Sequence, residues 1–110
     1  MKTVYILESL TDGTLFKNAV KAHHIPKCDN VYYCNYKFAS RDYLTWIIID
    51  INTGLILHMG NDMATMLKDF ETYNTFEMLK EIRLNDPTYQ DKVKLYDSAL
   101  LADETIRWGC

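Results

Sequence analysis

The chain of 110 residues has the length of one domain, with 48% hydrophobic and 25% charged residues and a formal net charge of −3. With only four Gly and two Pro, this composition is typical of an ordinary globular protein and disfavours disordered and low-complexity architectures. The sequence shows neither an apolar run long enough for a bilayer nor a secretory cleavage pattern, so we expect a cytoplasmic protein that forms a single domain over residues 1–110.

The first predicted elements are a strand, a helix and a second strand. β-branched and aromatic residues predict the strand at residues 3–7. Apolar residues at helical spacing predict the helix over residues 14–24, and Pro26 ends it. Residues 31–38 alternate with period two, which is typical of a half-buried strand. Its aromatic face is formed by Tyr32, Cys34, Tyr36 and Phe38.

Residues 43–51 and 55–59 predict an antiparallel β-hairpin. The link Asn52-Thr53-Gly54 fits a short loop with Gly54 at a position that needs positive φ. The run Ile47-Ile48-Ile49 is continuous rather than alternating. We therefore expect this strand to be covered on both faces and to lie centrally in the sheet.

Three helices are predicted in the second half of the chain. Asn61 or Asp62 caps the first, and the segment 74–77 resembles a capping box for the second. Asp86-Pro87 starts the third, which we expect over residues 86–107. The apolar stripes that these helices would bury are, in chain order, Met63, Met66, Leu67 and Phe70; Phe76, Leu79 and Ile82; and Tyr89, Val93, Tyr96 and Leu100.

The predicted order of elements is β-α-β-β-β-α-α-α. Because the strands come early and the helices late, we expect an α+β fold in which a mostly antiparallel four-stranded sheet is covered by helices. The inner α-β-β-β-α part resembles double-stranded-RNA-binding domains in its order of elements alone. That family binds phosphates with Lys at the start of its last helix, where this chain has Asn61-Asp62-Met63-Ala64. An RNA-binding domain is therefore a less favoured alternative.

The charge is unevenly distributed along the chain. Residues 1–60 carry six Lys/Arg against five Asp/Glu, and residues 61–110 carry six against ten, a net charge of −4. Nucleic-acid binding depends on Lys and Arg that displace counterions from phosphates. The acidic second half therefore argues against direct binding of nucleic acid.

The candidate metal ligands are His23, His24, Cys28 and Cys34, because zinc prefers imidazole and thiolate groups. Their spacing matches no zinc ribbon or finger, since the chain contains no Cys-x-x-Cys. Three cysteines, with Cys110 as the third, are also too few for a disulfide scaffold and fit a reducing compartment. We expect free structural thiols, no metal and no cofactor.

Groups that could carry catalysis are few. Cys34 beside His58, or Asp50 with His58 across the predicted hairpin, could support nucleophilic or acid–base chemistry. Nothing in the sequence places either pair together, and no glycine-rich phosphate-binding motif is present. No catalytic residue is assigned, and an enzyme is not the favoured interpretation.

The remaining sequence signal is a set of residue types that are common where proteins bind each other. Eight Tyr, two Trp and five Met form an inventory that is enriched at protein interfaces. Tyr residues near turns combine contact area with a hydroxyl, and several acidic residues fall on the less apolar faces of the last helix. The candidate partner-binding residues are Tyr33, Tyr43, Tyr73, Tyr89, Asp91, Asp97, Asp103 and Glu104.

These observations predict a non-catalytic protein-binding module, an inhibitor or adaptor whose acidic helices meet a basic surface of a protein partner. In composition the chain resembles the compact acidic proteins that phages and mobile elements use against host enzymes, including nucleic-acid-processing ones. The alternative left open is a small enzyme or ligand-binding subunit with a pocket between the sheet and the helices. A homo-oligomer could build such a pocket at its interface.

Overall fold

The structure, a computed structural model, describes residues 1–9, 15–72 and 75–101 as five β-strands followed by three α-helices. Each strand pairs antiparallel with the next, so the sheet is a meander in the order β1-β2-β3-β4-β5. The α+β class and the antiparallel sheet are confirmed, but the sheet has five strands and not four. The elements are β1 Lys2–Ser9, β2 Leu15–His24, β3 Val31–Tyr36, β4 Thr45–Asp50, β5 Leu55–Gly60, α1 Met63–Thr72, α2 Thr75–Asn85 and α3 Pro87–Leu101.

The predicted helix over residues 14–24 is wrong, because this segment is strand β2. It pairs with β1 along eight residue pairs, with Val20 opposite Val4 and Ala22 opposite Lys2. Its apolar residues fit a helical spacing, yet Val20 and Ala22 also alternate with exposed residues, and Ala22 is completely buried. Because the segment pairs with β1, it adopts the two-residue period of a strand and not the period of a helix. The α-β-β-β-α order of a double-stranded-RNA-binding domain is therefore not present.

One side of the sheet is filled by side chains of the strands themselves. Val4 and Ile6 of β1 belong to the same buried cluster as Ile47 and Ile49 of β4, although β2 and β3 lie between these strands. Buried residues of β2 and β3, Ala22 and Cys34 among them, connect the two groups. We call this group the concave cluster, and its other described members are Val20, Ala22, Tyr32, Cys34, Tyr36, Phe38, Ile51 and Ile56.

Helices α1 and α2 cover the opposite side of the sheet. Helix α3 lies elsewhere, with Tyr89 on Asp50 at the β4–β5 turn and Tyr96 on the backbone of Tyr5 in β1. Met66 and Phe70 of α1, each 1% exposed, pack with Ile48 of β4 and with Leu79 of α2. The predicted apolar stripe of α1 is buried at these two positions, whereas Met63 is 37% exposed. We call this group the helix cluster, and its buried members are Ile25, Cys28, Val31, Ile48, Met66, Phe70 and Leu79.

The predicted hairpin is confirmed as β4 and β5. The three isoleucines 47–49 are completely buried, with Ile47 and Ile49 in the concave cluster and Ile48 in the helix cluster. β4 is thus covered on both faces, as predicted, although it lies second from the edge rather than at the centre of the sheet. Gly54 has the expected positive φ, at 73°.

Two of the predicted helix starts are confirmed by their caps. An oxygen of Asp62 accepts the backbone N–H of Thr65 at 2.9 Å, and an oxygen of Asp86 accepts that of Thr88 at 2.9 Å. Hydrogen bonds from these threonines hold the pKa of both carboxyl groups below the ordinary value. Asn74 and the predicted helical residues 102–107 lie outside the described part of the chain. Within the described ranges, no helix is long and apolar enough to cross a membrane.

The buried stripe of α2 differs from the predicted one. Leu79 is 5% exposed and Phe76 packs against the helix cluster, but Ile82 is 41% exposed. Arg83 faces inward instead, with its side chain only 18% exposed. It pairs there with Asp50, which is 1% exposed, so the inward face of α2 supplies the cation that this buried carboxylate needs.

Buried phenol and thiol groups predict a loss of stability at alkaline pH. Burial raises the pKa of Cys34 to about 11 and that of Tyr96 to about 12, and burial with a hydrogen bond to Glu8 raises the pKa of Tyr36. The unfolded chain ionises nearer the ordinary values of 9.0 and 10.0, so it loses protons before the folded state does. This stabilisation is complete below about pH 9 and is lost as the pH rises through the folded pKa values.

The melting temperature is therefore expected to fall steadily from about pH 9 upward, as measured by circular dichroism. The Tyr96→Phe variant should show a shallower fall, because one of the ionising groups is missing. A melting temperature that stays constant from about pH 9 to 11, or an unchanged slope in Tyr96→Phe, would contradict this account.

Candidate functional site

A buried polar cluster joins the β4–β5 turn to α2 and α3. Asp50 receives the Nη2 of Arg83 on Oδ1 at 3.1 Å and the hydroxyl of Tyr89 on Oδ2 at 2.6 Å. The backbone N–H of Asn52 donates to the same Oδ1 at 2.9 Å. The carboxylate is thus compensated by a cation and three hydrogen bonds, as a buried charge requires. We call Asp50, Asn52, Arg83 and Tyr89 the Asp50 clamp.

Arg83 extends this clamp to the β2–β3 loop. Its Nη1 donates to the carbonyl oxygen of Asp29 at 2.9 Å, and its Nε donates to the hydroxyl of Tyr89 at 3.1 Å. The same Nη1 lies 3.7 Å from the Sγ of Cys28. Burial raises the pKa of Cys28 against the opposing effect of the Arg83 charge, so the thiol stays protonated at neutral pH. Nε, Nη1 and Nη2 of Arg83 all donate to groups of the protein itself, which fits a structural role for this side chain.

The structure does not bring the candidate catalytic pairs together. In the hairpin, Asp50 lies opposite Leu55 and His58 lies opposite Ile48. Cys34 belongs to the concave cluster, whereas the His58 ring lies near Phe70 of α1, with 6.4 Å between ring centroids. Neither proposed pair therefore shares a site.

The candidate metal ligands are also separated. Cys28 lies in the helix cluster and Cys34 in the concave cluster, on opposite sides of the sheet. Nε2 of His24 donates to the carbonyl oxygen of Cys28 at 3.0 Å, and the His23 ring stacks on Tyr33 at 5.2 Å. Among the residues that the structure describes, no three His, Cys, Asp or Glu are grouped to hold a metal ion. Cys110 lies outside those residues.

The predicted tyrosine anchors have different surroundings. Tyr43 is 57% exposed, and the guanidinium of Arg41 lies 5.8 Å from the centre of its ring. Tyr33 is half-buried on the helix side of the sheet, beside Trp46. Tyr89 is 4% exposed with its hydroxyl on Asp50, so it lacks the exposure that an anchor needs. Tyr73 lies outside the described residues.

The predicted acidic residues of the last helix do not form one stripe. Asp91 and Asp97 are both exposed, but residues six positions apart on a helix point about 120° away from each other. The exposed Lys92 and Lys94 lie between them in the sequence. Asp103 and Glu104 lie outside the part of the chain that is described.

An exposed apolar surface lies instead on α2. Met78 and Ile82, one helical turn apart, are 58% and 41% exposed. They line a depression of about 310 Å³ together with Glu81, Asn85 and Asp86. We call these five residues the α2 surface. Sequence reasoning missed it because Ile82 was assigned to the buried stripe and Met78 was not considered.

A second depression, of about 410 Å³, lies between the sheet and the helices. We call it the sheet–helix groove. Lys27 and Glu71, which form an ion pair, line it at the solvent side, with side chains 60% and 56% exposed. His24, whose Nε2 donates to the carbonyl oxygen of Cys28, also lines it. Lys27, Glu71 and Phe76 are shared with an adjoining depression that Glu77 and Lys80 line as well. The apolar lining of the groove consists of Ile25, Pro26, Tyr33, Leu67, Phe70 and Phe76.

Comparison with known proteins adds no relative: no protein family model, no curated protein and no solved structure matches this chain. The α2 surface and the sheet–helix groove are consequently the features from which a function is inferred.

Proposed function

We propose that this protein is a non-catalytic protein-binding module that docks a partner with a basic surface on its α2 surface. The observation that carries the proposal is the exposure of Met78 and Ile82 beside the carboxylates of Glu81 and Asp86. Protein interfaces combine a central apolar contact with a polar rim. Methionine suits such a contact, because its unbranched and polarisable side chain adapts to different partners.

The charge of this region supports a basic partner. Both charged residues of the α2 surface are acidic, and residues 61–110 carry a net charge of −4. Complementary potentials accelerate association and favour the correct orientation of two proteins. An inhibitor or adaptor that occupies a basic surface fits this arrangement, and a nucleic-acid-processing protein is a target class that offers such a surface.

The apolar part of the interface is tested with Ile82→Ser, using a partner that is captured from the native host, identified and purified. Truncating a central apolar contact should weaken the affinity roughly tenfold or more. Leu84→Ser is the matched control, because Leu84 is 83% exposed and points to another side of the same helix. We expect the control to change the dissociation constant less than about twofold, and both variants to keep the wild-type circular dichroism.

The charged part of the interface is tested with Glu81→Lys in the same assay. The variant should associate more slowly at low salt, and the difference should shrink as salt screens the charges. Asp91→Lys combined with Asp97→Lys should have a smaller effect, since these residues do not line the α2 surface. The proposal would be contradicted if Ile82→Ser and Leu84→Ser weakened the affinity equally. It would also be contradicted if the association rate changed neither with salt nor with Glu81→Lys.

A further inference from the structure

We propose that the sheet–helix groove binds a small zwitterion with an aromatic side chain, of the class of the free aromatic amino acids. The proposal goes beyond protein binding and is independent of it, because the groove and the α2 surface share no lining residue. It follows from the pairing of an aromatic interior with the Lys27–Glu71 ion pair at the solvent side.

The interior of the groove fits a flat apolar group. Its volume of about 410 Å³ lies in the range of small-molecule pockets. Phe70 and Ile25 are buried, at 1% and 7% exposure, while Tyr33, Leu67 and Phe76 are half-buried and keep part of their surface accessible. Phe70 and Phe76 meet edge to face, with ring centroids 4.7 Å apart and an interplanar angle of 83°. An aromatic ring can add to such a set through the same edge and face contacts.

The solvent side of the groove carries the opposite charges of Lys27 and Glu71. Exposed ion pairs contribute little to stability, so the two side chains can separate at little cost. A zwitterion inserted between them would place its carboxylate on the Nζ of Lys27 and its ammonium on the carboxylate of Glu71. Each charge then keeps an opposite neighbour.

This arrangement discriminates between related ligands. A carboxylate without an ammonium group is attracted by Lys27 but repelled by Glu71. An amine without a carboxylate is attracted by Glu71 but repelled by Lys27. A zwitterion without an aromatic side chain, such as glycine, gains the charge contacts but leaves the apolar lining empty. Both parts of the ligand are therefore needed for binding.

The first experiment titrates the protein with L-phenylalanine and L-tryptophan and follows binding by nuclear magnetic resonance. Chemical shifts are expected to change at Lys27, Tyr33, Leu67 and Phe76. The comparison ligands are 3-phenylpropionate, phenethylamine and glycine, which each lack one of the three groups. We expect each of them to bind at least roughly tenfold more weakly, since one charge-assisted or apolar contact is lost.

The second experiment removes the charges of the protein one at a time. Lys27→Met and Glu71→Gln should each weaken L-phenylalanine binding roughly fivefold or more, without changing the melting temperature substantially. Lys92→Met is the matched control, because Lys92 is an exposed lysine of α3 that lines neither the groove nor the adjoining depression. It should alter the affinity less than about twofold.

The outcomes that overturn the proposal are direct. Equal binding of L-phenylalanine and 3-phenylpropionate would show that the charge pair does not select a zwitterion. Unchanged affinity in Lys27→Met and Glu71→Gln, or no shift at the groove up to about 10 mM of either aromatic amino acid, would show that the groove is not their site. None of these results would bear on the α2 surface, whose test uses different residues.

Discussion

Replacing Asp50 by alanine is expected to lower the free energy of unfolding by about 3–5 kcal/mol. Asp50 is 1% exposed, and its removal leaves the largely buried guanidinium of Arg83 without a carboxylate partner. The hydroxyl of Tyr89 loses its acceptor at the same time. Domains of this kind are stable by about 5–15 kcal/mol in total, so urea denaturation should show a large shift of the midpoint.

Two controls separate this effect from a general sensitivity to lost carboxylates. Asp97→Ala removes an exposed carboxylate and should change the stability by no more than about 0.5 kcal/mol. Asp50→Ala combined with Arg83→Met should lose less than the sum of the single losses, because no unpaired buried charge remains. The stabilising role of the Asp50 clamp would be contradicted if Asp50→Ala were no more destabilising than Asp97→Ala.

Gly54→Ala is expected to lower the free energy of unfolding by about 2–5 kcal/mol. A φ of 73° costs an L-residue about 1–2 kcal/mol, and a methyl group at this position would overlap the ring of Tyr96. Overpacking of this kind typically costs a further 1–3 kcal/mol or so. The ring cannot move freely, because Tyr96 is 4% exposed and its hydroxyl donates to the backbone oxygen of Tyr5.

Gly60→Ala is the matched control for this substitution. A methyl group at Gly60 would approach the Cβ of Met66 to 3.1 Å, and Gly60 is not among the glycines with positive φ. We expect thermal unfolding to show a smaller loss for Gly60→Ala than for Gly54→Ala. In a Tyr96→Leu background the cost of Gly54→Ala should fall toward the conformational cost alone. An equal cost in both backgrounds would mean that Tyr96 does not restrict this turn.

The parts of the fold that were predicted from the sequence depend on local signals. Gly54 marks a turn that needs positive φ, and Asp62 and Asp86 offer carboxylates at the first turn of a helix. Strand β2 was misassigned because its apolar residues fit two periods, and only the presence of β1 selects one of them. A partner strand is a property of the tertiary structure, which a local pattern does not contain.

The candidate site was less predictable for the same reason. Arg83 and Asp50 are 33 positions apart, and the face of α2 that turns Arg83 inward leaves Ile82 41% exposed on the α2 surface. A lone carboxylate at the end of the apolar strand Thr45–Asp50 was the available signal for a buried charge that needs a cation. The sheet–helix groove combines residues of separate elements, from Ile25 to Phe76, and has no signature in the sequence.

The docking of a basic protein on the α2 surface is tested most directly by photo-crosslinking in the native host. A photoreactive amino acid at Ile82 should attach to one protein with a basic surface, and the same group at Leu84 should not. The crosslink from Ile82 should decrease when Glu81→Lys is added, because the local charge is reversed. The same crosslinked proteins from both positions, or a product from Ile82 that Glu81→Lys leaves unchanged, would contradict the proposed interface.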